Sequence, residues 1–187
     1  MGIGSNNSLS YLTPNGFWSK VFRWFNRCQS KQIQSQYIYG KTRFFDIRLD
    51  VNKYNRITVK NYNIFSLYEI FDFFNKMGNA IVYITFDADK DMYSENDYKI
   101  KKEKFAYYCG QIENIYQNIK FCGGKNNFDG ETLYKFKNPT PKIYNPTNDF
   151  LKYKIATCIS PKWTKKLNEK IIENYKDYDY ILLNHIG

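Results

Sequence analysis

The sequence predicts an α/β fold, and three observations carry the prediction. Apolar residues alternate between runs suited to strands and runs with the 3.6-residue spacing of helices. Some strand-like runs, such as AIVYITFDAD at residues 80–89, are almost continuously apolar, as in strands covered on both faces. The chain has 187 residues, 43% apolar and 19% aromatic, which suits one domain over residues 1–187 with a substantial core. The order strand, helix, strand, strand, helix, strand, helix, strand fits either an open doubly wound sheet or a barrel.

The chain opens with IGSNNSLSYL (residues 3–12), in which Gly, Ser and two asparagines, Asn6 and Asn7, stand where a strand should end. GSNNSLSYL is neither GxGxxG nor GxxxxGK[ST], which argues against a nucleotide-binding open sheet. Residues 18–39 place Val21, Phe22, Trp24, Phe25, Cys28, Ile33, Gln36 and Tyr37 at mixed helical spacings. They read as one helix, broken near Ser30, with Gly40 as its C-terminal cap. TRFFDIRLDV (42–51) is β-branched and aromatic and reads as a strand, joined by NKYN to a second strand, RITVKN (56–61). Leu67, Ile70, Phe71, Phe74 and Met77 then form a helical stripe, with Ser66 and Glu69 as a capping box and Gly78–Asn79 as the stop.

After the strand at 80–89, Ser94 and Asp97 make a second capping-box-like start. The helix they open keeps Phe105, Tyr108, Ile112, Ile115 and Ile119 at helical spacing. IKFCGG is a short strand. Residues 123–158 contain GG, NN, DG and Pro139, Pro141 and Pro146, so they read as loops around short strands at TLYKF and KIYN. Ser160 and Pro161 start a last helix carrying Trp163, Leu167, Ile171 and Tyr175, and YILLNHI ends the chain as a strand.

The net charge is +10 and the pI about 9.3. The basic residues are scattered, so a solvated basic surface is the first reading, and attraction to an acidic partner the second. Cys28, Cys109, Cys122 and Cys158 are widely spaced without a CxxC pair, and His185 is the single histidine, which argues against a zinc site. The pattern suits free thiols in a reducing compartment. No signal-peptide pattern or membrane-length apolar run occurs, so the expectation is a soluble protein, cytoplasmic or virion-associated. Abundant Lys and Asn with scarce Ala suggest AT-rich coding, as in many viruses.

Four blocks in order, GSNNSLSYL, GKTRFFDIRLDV, RITVKN and SLYEIFDFFNKMGNAIVYITFD, resemble the X-domain of phosphatidylinositol-specific phospholipases C. The resemblance covers about residues 2–90, with a weaker match of the final strand to the barrel's last strand. FDIR alone is a weak motif, whereas the blocks in sequence are stronger. The resemblance implies an irregular, shortened (β/α) TIM-like barrel with its site at the C-terminal ends of the strands. It also implies a short, phage-type version. The family's reaction cleaves a phosphodiester: one histidine takes the inositol hydroxyl proton as that oxygen attacks phosphorus, and a second protonates the leaving diacylglycerol oxygen.

Both histidine positions are altered here. Asn6 stands where the first belongs, and Asn61, or Lys60 in a register one residue off, stands where the second belongs. A carboxamide neither accepts nor holds a proton near neutral pH. What survives of the pattern is Asn7, the asparagine after the first histidine, Asp46, the acid of D-I-R, and Arg48, its arginine, which contacts phosphate in bacterial members. Eukaryotic calcium sites carry an acid where Arg48 stands, so neither a metal nor a cofactor is implied. Asn7, Arg48, Lys60 and His185 are the anion-binding candidates, and Asp46 and Asp87 the acidic ones.

Each has a plain structural alternative. Arg48 can pair with Asp46, Asp50 or Asp87, and Asn6 and Asn7 can satisfy backbone groups at a strand-to-loop turn. His185 can be a packed, hydrogen-bonded side chain, the preferred reading because one imidazole cannot fill two opposed catalytic roles. Asp87 and Asp89 can be an ordinary acidic strand end.

The function expected is therefore a catalytically degenerate phospholipase C-like protein, a pseudoenzyme serving as a binding or structural module. Its implied partners are an anionic lipid head group or phosphodiester, or other virion proteins, with nucleic acid disfavoured. The alternative is an active phosphodiesterase with rebuilt chemistry using Lys60, His185 or Asp87. Loss of one general acid or base costs about 10² to 10⁴ in rate, so loss of both disfavours it.

Overall fold

The computed structural model describes residues 2–6, 8–10, 29, 32–59, 67–146, 153, 156–157, 160–175 and 177–185. Its elements are, in chain order, β1 (Gly2–Ser5), α1 (Ile33–Ile38), β2 (Phe44–Val51), β3 (Ile57–Val59), α2 (Tyr68–Met77) and β4 (Ile81–Phe86). A 3₁₀ turn at Lys90–Met92 follows, then α3 (Glu95–Ile115), β5 (Lys120–Asn126), β6 (Ile143–Tyr144), α4 (Pro161–Asn174) and β7 (Tyr180–Leu183). The protein is mixed α/β, and its contacts gather into two compact units, Met1–Asp46 with Pro141–Gly187, and Ile47–Thr140. β2 contributes its first three residues to one and the rest to the other.

In the first unit β1 lies between β2 and β7 and runs parallel to both, and β6 extends the row parallel to β7. The first strand thus pairs directly with the last. Two glycines make room for this. A Cβ on Gly4 would stand 2.7 Å from Leu182 and 3.1 Å from Phe44, and one on Gly2 would stand 2.5 Å from Tyr180. With no side chain between them, Phe44 and Tyr180 stack across β1, ring centroids 4.7 Å apart. The core of this unit joins Tyr144, Tyr153, Ile171, Ile181 and Leu183.

The start of α4 is as the sequence predicts: Ser160 accepts a hydrogen bond from Trp163 N, and Pro161 occupies the first turn, where its missing N–H costs nothing. The buried side of α4 is Thr164, Asn168 and Ile171, and Trp163, expected on the apolar stripe, is 36% exposed. α1 ends with Gly40 N bonded to Ser35 O, and the left-handed residue beyond it is Lys41 (φ 50°) rather than Gly40. The earlier part of the predicted helix, together with Ser30, lies outside the described residues apart from Gln29.

In the second unit β2 has β4 on one side and β5 continues parallel to β4. β3 folds back antiparallel on β2, with Leu49 opposite Val59 and Val51 opposite Ile57. The NKYN turn closes this hairpin because the Asn52 side-chain oxygen accepts from Tyr54 N and Arg56 N, while Asn55 takes a left-handed conformation that Asn tolerates. α2 and α3 cover the strands with aromatic rings. Phe71 meets Phe121 edge-on at 5.4 Å and Phe86 lies 5.0 Å from Phe105.

Ser94 caps α3 as predicted, its hydroxyl accepting from Asp97 N and donating to the Asp97 carboxylate. α2 begins after Leu67, which gives no side-chain cap, and Ser66 of the predicted capping box lies outside the described residues. Gly78 and Asn79, at φ 69° and 60°, end α2 as predicted. Two residues expected on the stripes are turned outward, Met77 at 45% and Ile115 at 59% exposed, and Ile119 is buried but lies beyond the end of α3. TLYKF contributes a single bridge, Thr132 to Lys125, in place of a strand. Cys109 and Cys122 are buried free thiols. Burial pushes the Cys122 thiol up to about 12 and raises that of Cys109 further, with the Glu113 charge adding to the latter, so both stay protonated near neutral pH.

Candidate functional site

In parallel α/β sheets, reactive groups collect at the C-terminal ends of the strands. In the first unit the pairing of Ser5 with both Phe45 and Leu183 sets the next residues, Asp46, Asn6 and Asn184, level in one row at those ends. Asn6 therefore stands one residue beyond β1, at the strand end the sequence led one to expect there. Its surroundings are dry: Asn6 is 2%, Asp46 2%, Asn184 0% and His185 2% exposed.

The row is closed by carboxamides. Asn6 Nδ2 donates to Asn184 Oδ1 at 2.9 Å, and Asn145 Nδ2, just past β6, donates to Asn6 Oδ1 at 3.4 Å. Gln29 Nε2 donates to the carbonyls of Asn6 and Leu183, so it bridges the ends of β1 and β7. On the far side Asn184 Nδ2 donates to Thr157 Oγ1 at 2.8 Å, and its backbone N–H donates to the Tyr153 hydroxyl at 2.8 Å. That hydroxyl donates in turn to Asn168 Oδ1 at 2.6 Å, while Asn168 Nδ2 returns to the Asn184 carbonyl. Satisfied networks of this kind in a low-dielectric interior hold one arrangement of the chain, since breaking any link strands a buried polar atom.

The Asn6 side chain thus spends its donor and its acceptor on neighbouring amides, and neither can carry a proton. His185 takes a left-handed backbone (φ 53°), and its Nε2 lies 3.1 Å from the Thr157 carbonyl. A carbonyl only accepts, so Nε2 carries the hydrogen. The imidazole is thereby part of the strand-end packing, in keeping with the preferred sequence reading. Asp46 contributes its carbonyl to Ser8 N at 2.7 Å, folding the chain over the row. Among the buried side chains of this unit, Ser5, Ser8 and Gln36 make a second small network beside it.

In the second unit Arg48 is half-buried on β2, and Asp87 follows β4 with its carboxylate accepting from Asn127 Nδ2 at 3.1 Å. Asp50 forms an ion pair with Lys101 at 3.6 Å. Asn7, Lys60 and Asn61 lie outside the described residues. Among the described residues no three His, Cys, Asp or Glu side chains group as a metal site, and no helix is long and apolar enough to cross a membrane.

Sequence reasoning missed the setting of Lys101. Its side chain is 8% exposed, its Nζ lies 4.4 Å from the Tyr93 ring, and it borders a hollow of about 440 Å³ with Asp50, Asn52, Lys53 and Asp97. Burial, then the charges of Asp50 and Asp89, raise the Tyr93 hydroxyl above its ordinary value. The signal was available: Tyr98, Lys101, Phe105, Tyr108 and Ile112 share the buried side of α3, so a lysine sits within an apolar stripe. The polar partners Asn168, Tyr153 and Thr157 were likewise unmarked in the sequence. No family model, curated protein or solved structure matches the chain.

Proposed function

We propose that this chain is a catalytically silent member of the phospholipase C X-domain type, an irregular and shortened barrel retained as a binding or structural module. The parallel pairing of the first strand with the last supports the barrel reading, because such pairing is what closes a (β/α) barrel. The observation that carries the functional reading is Asn6. It occupies the end of β1, is withdrawn from solvent, and has both ends of its carboxamide bonded to other amides. Phosphodiester cleavage by this family's route needs a base to take the hydroxyl proton and an acid to return one. The described strand ends of the first unit offer amides, one buried carboxylate and an imidazole turned to a carbonyl.

The test is phosphorus NMR of phosphatidylinositol vesicles and of glycerophosphodiesters incubated with the pure protein. The expected spectrum shows the diester unchanged relative to a protein-free blank. Turnover that disappears in Arg48→Ala or His185→Ala would overturn the reading and favour rebuilt chemistry.

A further inference from the structure

We propose that the hollow between the β2–β3 turn and the first turns of α3 binds a neutral sugar ring, held through its hydroxyl groups. It lies wholly within the second unit and measures about 440 Å³, in the range of small-molecule sites. Asp50, which lines it, stands at the C-terminal end of β2, the end of a parallel strand at which such folds collect ligands. The observation that carries the inference is Lys101. Its side chain is 8% exposed, yet no group among the described residues hydrogen-bonds its ammonium. The nearest anion, Asp50 Oδ1, is 3.6 Å away, beyond hydrogen-bond length, and already accepts from Val51 N at 2.7 Å. The Tyr93 ring covers another side of the ammonium at 4.4 Å. Asp50 Oδ2 likewise has no hydrogen bond among the described residues. The fold does not need this pair of charges, since an apolar side chain at position 101 would complete the buried stripe of α3.

The charges select the ligand. Asp50 and Asp97 stand with Lys53 and Lys101 around the hollow, so its lining has no net sign. An anion that reached Lys101 would lie against the Asp50 carboxylate, and a cation that reached Asp50 would lie against the ammonium, because the two are 3.6 Å apart. A free amino acid, charged at both ends, would be stripped of water to meet groups that already neutralise each other. A hydroxyl group avoids both penalties. Its oxygen accepts from Lys101 Nζ while its hydrogen is donated to Asp50 Oδ2, which turns one long contact into two charge-assisted hydrogen bonds. Asp97 offers a second acceptor, since one of its oxygens takes the Ser94 hydroxyl and the other is open. Asn52 offers a donor, because its side-chain oxygen alone serves the turn. A sugar ring with adjacent hydroxyls uses all of these at once. The inference goes beyond the proposed function by giving the second unit a ligand of its own, and it does not depend on the reading of Asn6.

The test is saturation-transfer NMR of the full chain with glucose, galactose, mannose and N-acetylglucosamine, each alone. Transfer to the ring protons of at least one of them is expected, and it should persist at high salt because the ligand carries no charge. The double variant Lys101→Met, Asp50→Asn removes both charges together, so it should melt near the wild-type temperature and bind that sugar about tenfold or more weakly. Asp97→Ala, at an exposed position, should weaken binding about threefold to tenfold while leaving the buried pair in place. No transfer to any of the four sugars, wild-type affinity in both variants, or displacement of the sugar by glycine or by inorganic phosphate would overturn the proposal. None of these results involves phosphodiester cleavage, so the outcome is separate from that of the turnover test.

Discussion

Gly124→Ala is expected to destabilise the protein by roughly 3–5 kcal/mol, lowering the melting temperature by about 10 °C. Gly124 has φ 75°, which an alanine adopts only with strain, and the added Cβ would lie 2.0 Å from the Tyr134 carbonyl oxygen. The obstacle is backbone and cannot rotate away. Nor can the segment retreat cheaply, because the Gly124 carbonyl accepts from Leu133 N and Tyr134 N. The Glu113 carboxylate on α3 also holds it, accepting from the Tyr134 hydroxyl and Lys137 N. Gly130 provides the control. It has the same φ of 75° with nothing within 4 Å, so Gly130→Ala should cost only about 1 kcal/mol. Thermal or urea denaturation of the two variants separates the clash from the dihedral strain, and equal losses would contradict the packing described.

Tyr153→Phe should cost about 2–4 kcal/mol while leaving the ring and its contacts in place. The hydroxyl is the junction of the strand-end network, accepting from Asn184 N and donating to Asn168 Oδ1 within a residue only 1% exposed. Its removal strands a buried N–H and a buried carbonyl oxygen together, the costly direction of losing a hydrogen bond. Asn168→Leu breaks two links of the same network, so the double variant should lose less than the sum of the single losses. Urea denaturation of all three variants checks both statements. A loss below 0.5 kcal/mol for Tyr153→Phe would mean that water reaches the site, and that the network is not the closed structure described.

Much of the element order was legible because each part has a local cause. Ser94–Asp97, Ser160–Pro161 and Gly78–Asn79 are capping signals that act within one turn, and the structure uses them as the sequence states them. The position of Asn6 was legible from the run of Gly, Ser and two asparagines, which marks the end of the first strand before any pairing is known. The antiparallel sense of β3 went unread, although the four-residue NKYN link is too short for a parallel crossover. The polar clasp was also hidden, because Asn6, Asn145, Thr157, Asn168 and Asn184 are far apart in sequence and each, alone, resembles a loop or helix-surface residue. Trp163 was misread by treating an apolar side chain at helical spacing as core, when Thr164 and Asn168 are the residues that turn inward.

The central physical claim is that carboxamides close the strand ends of the first unit, with Asn6 and Asn184 bonded to each other and withdrawn from water. Hydrogen exchange of the side-chain NH₂ groups of Asn6 and Asn184, followed by NMR, tests it most directly. The account predicts exchange at least about a hundredfold slower than that of exposed Asn55, since both groups are buried and donate to fixed acceptors. Exchange as fast as at Asn55 would show an open, wet pocket at the end of β1 and contradict it.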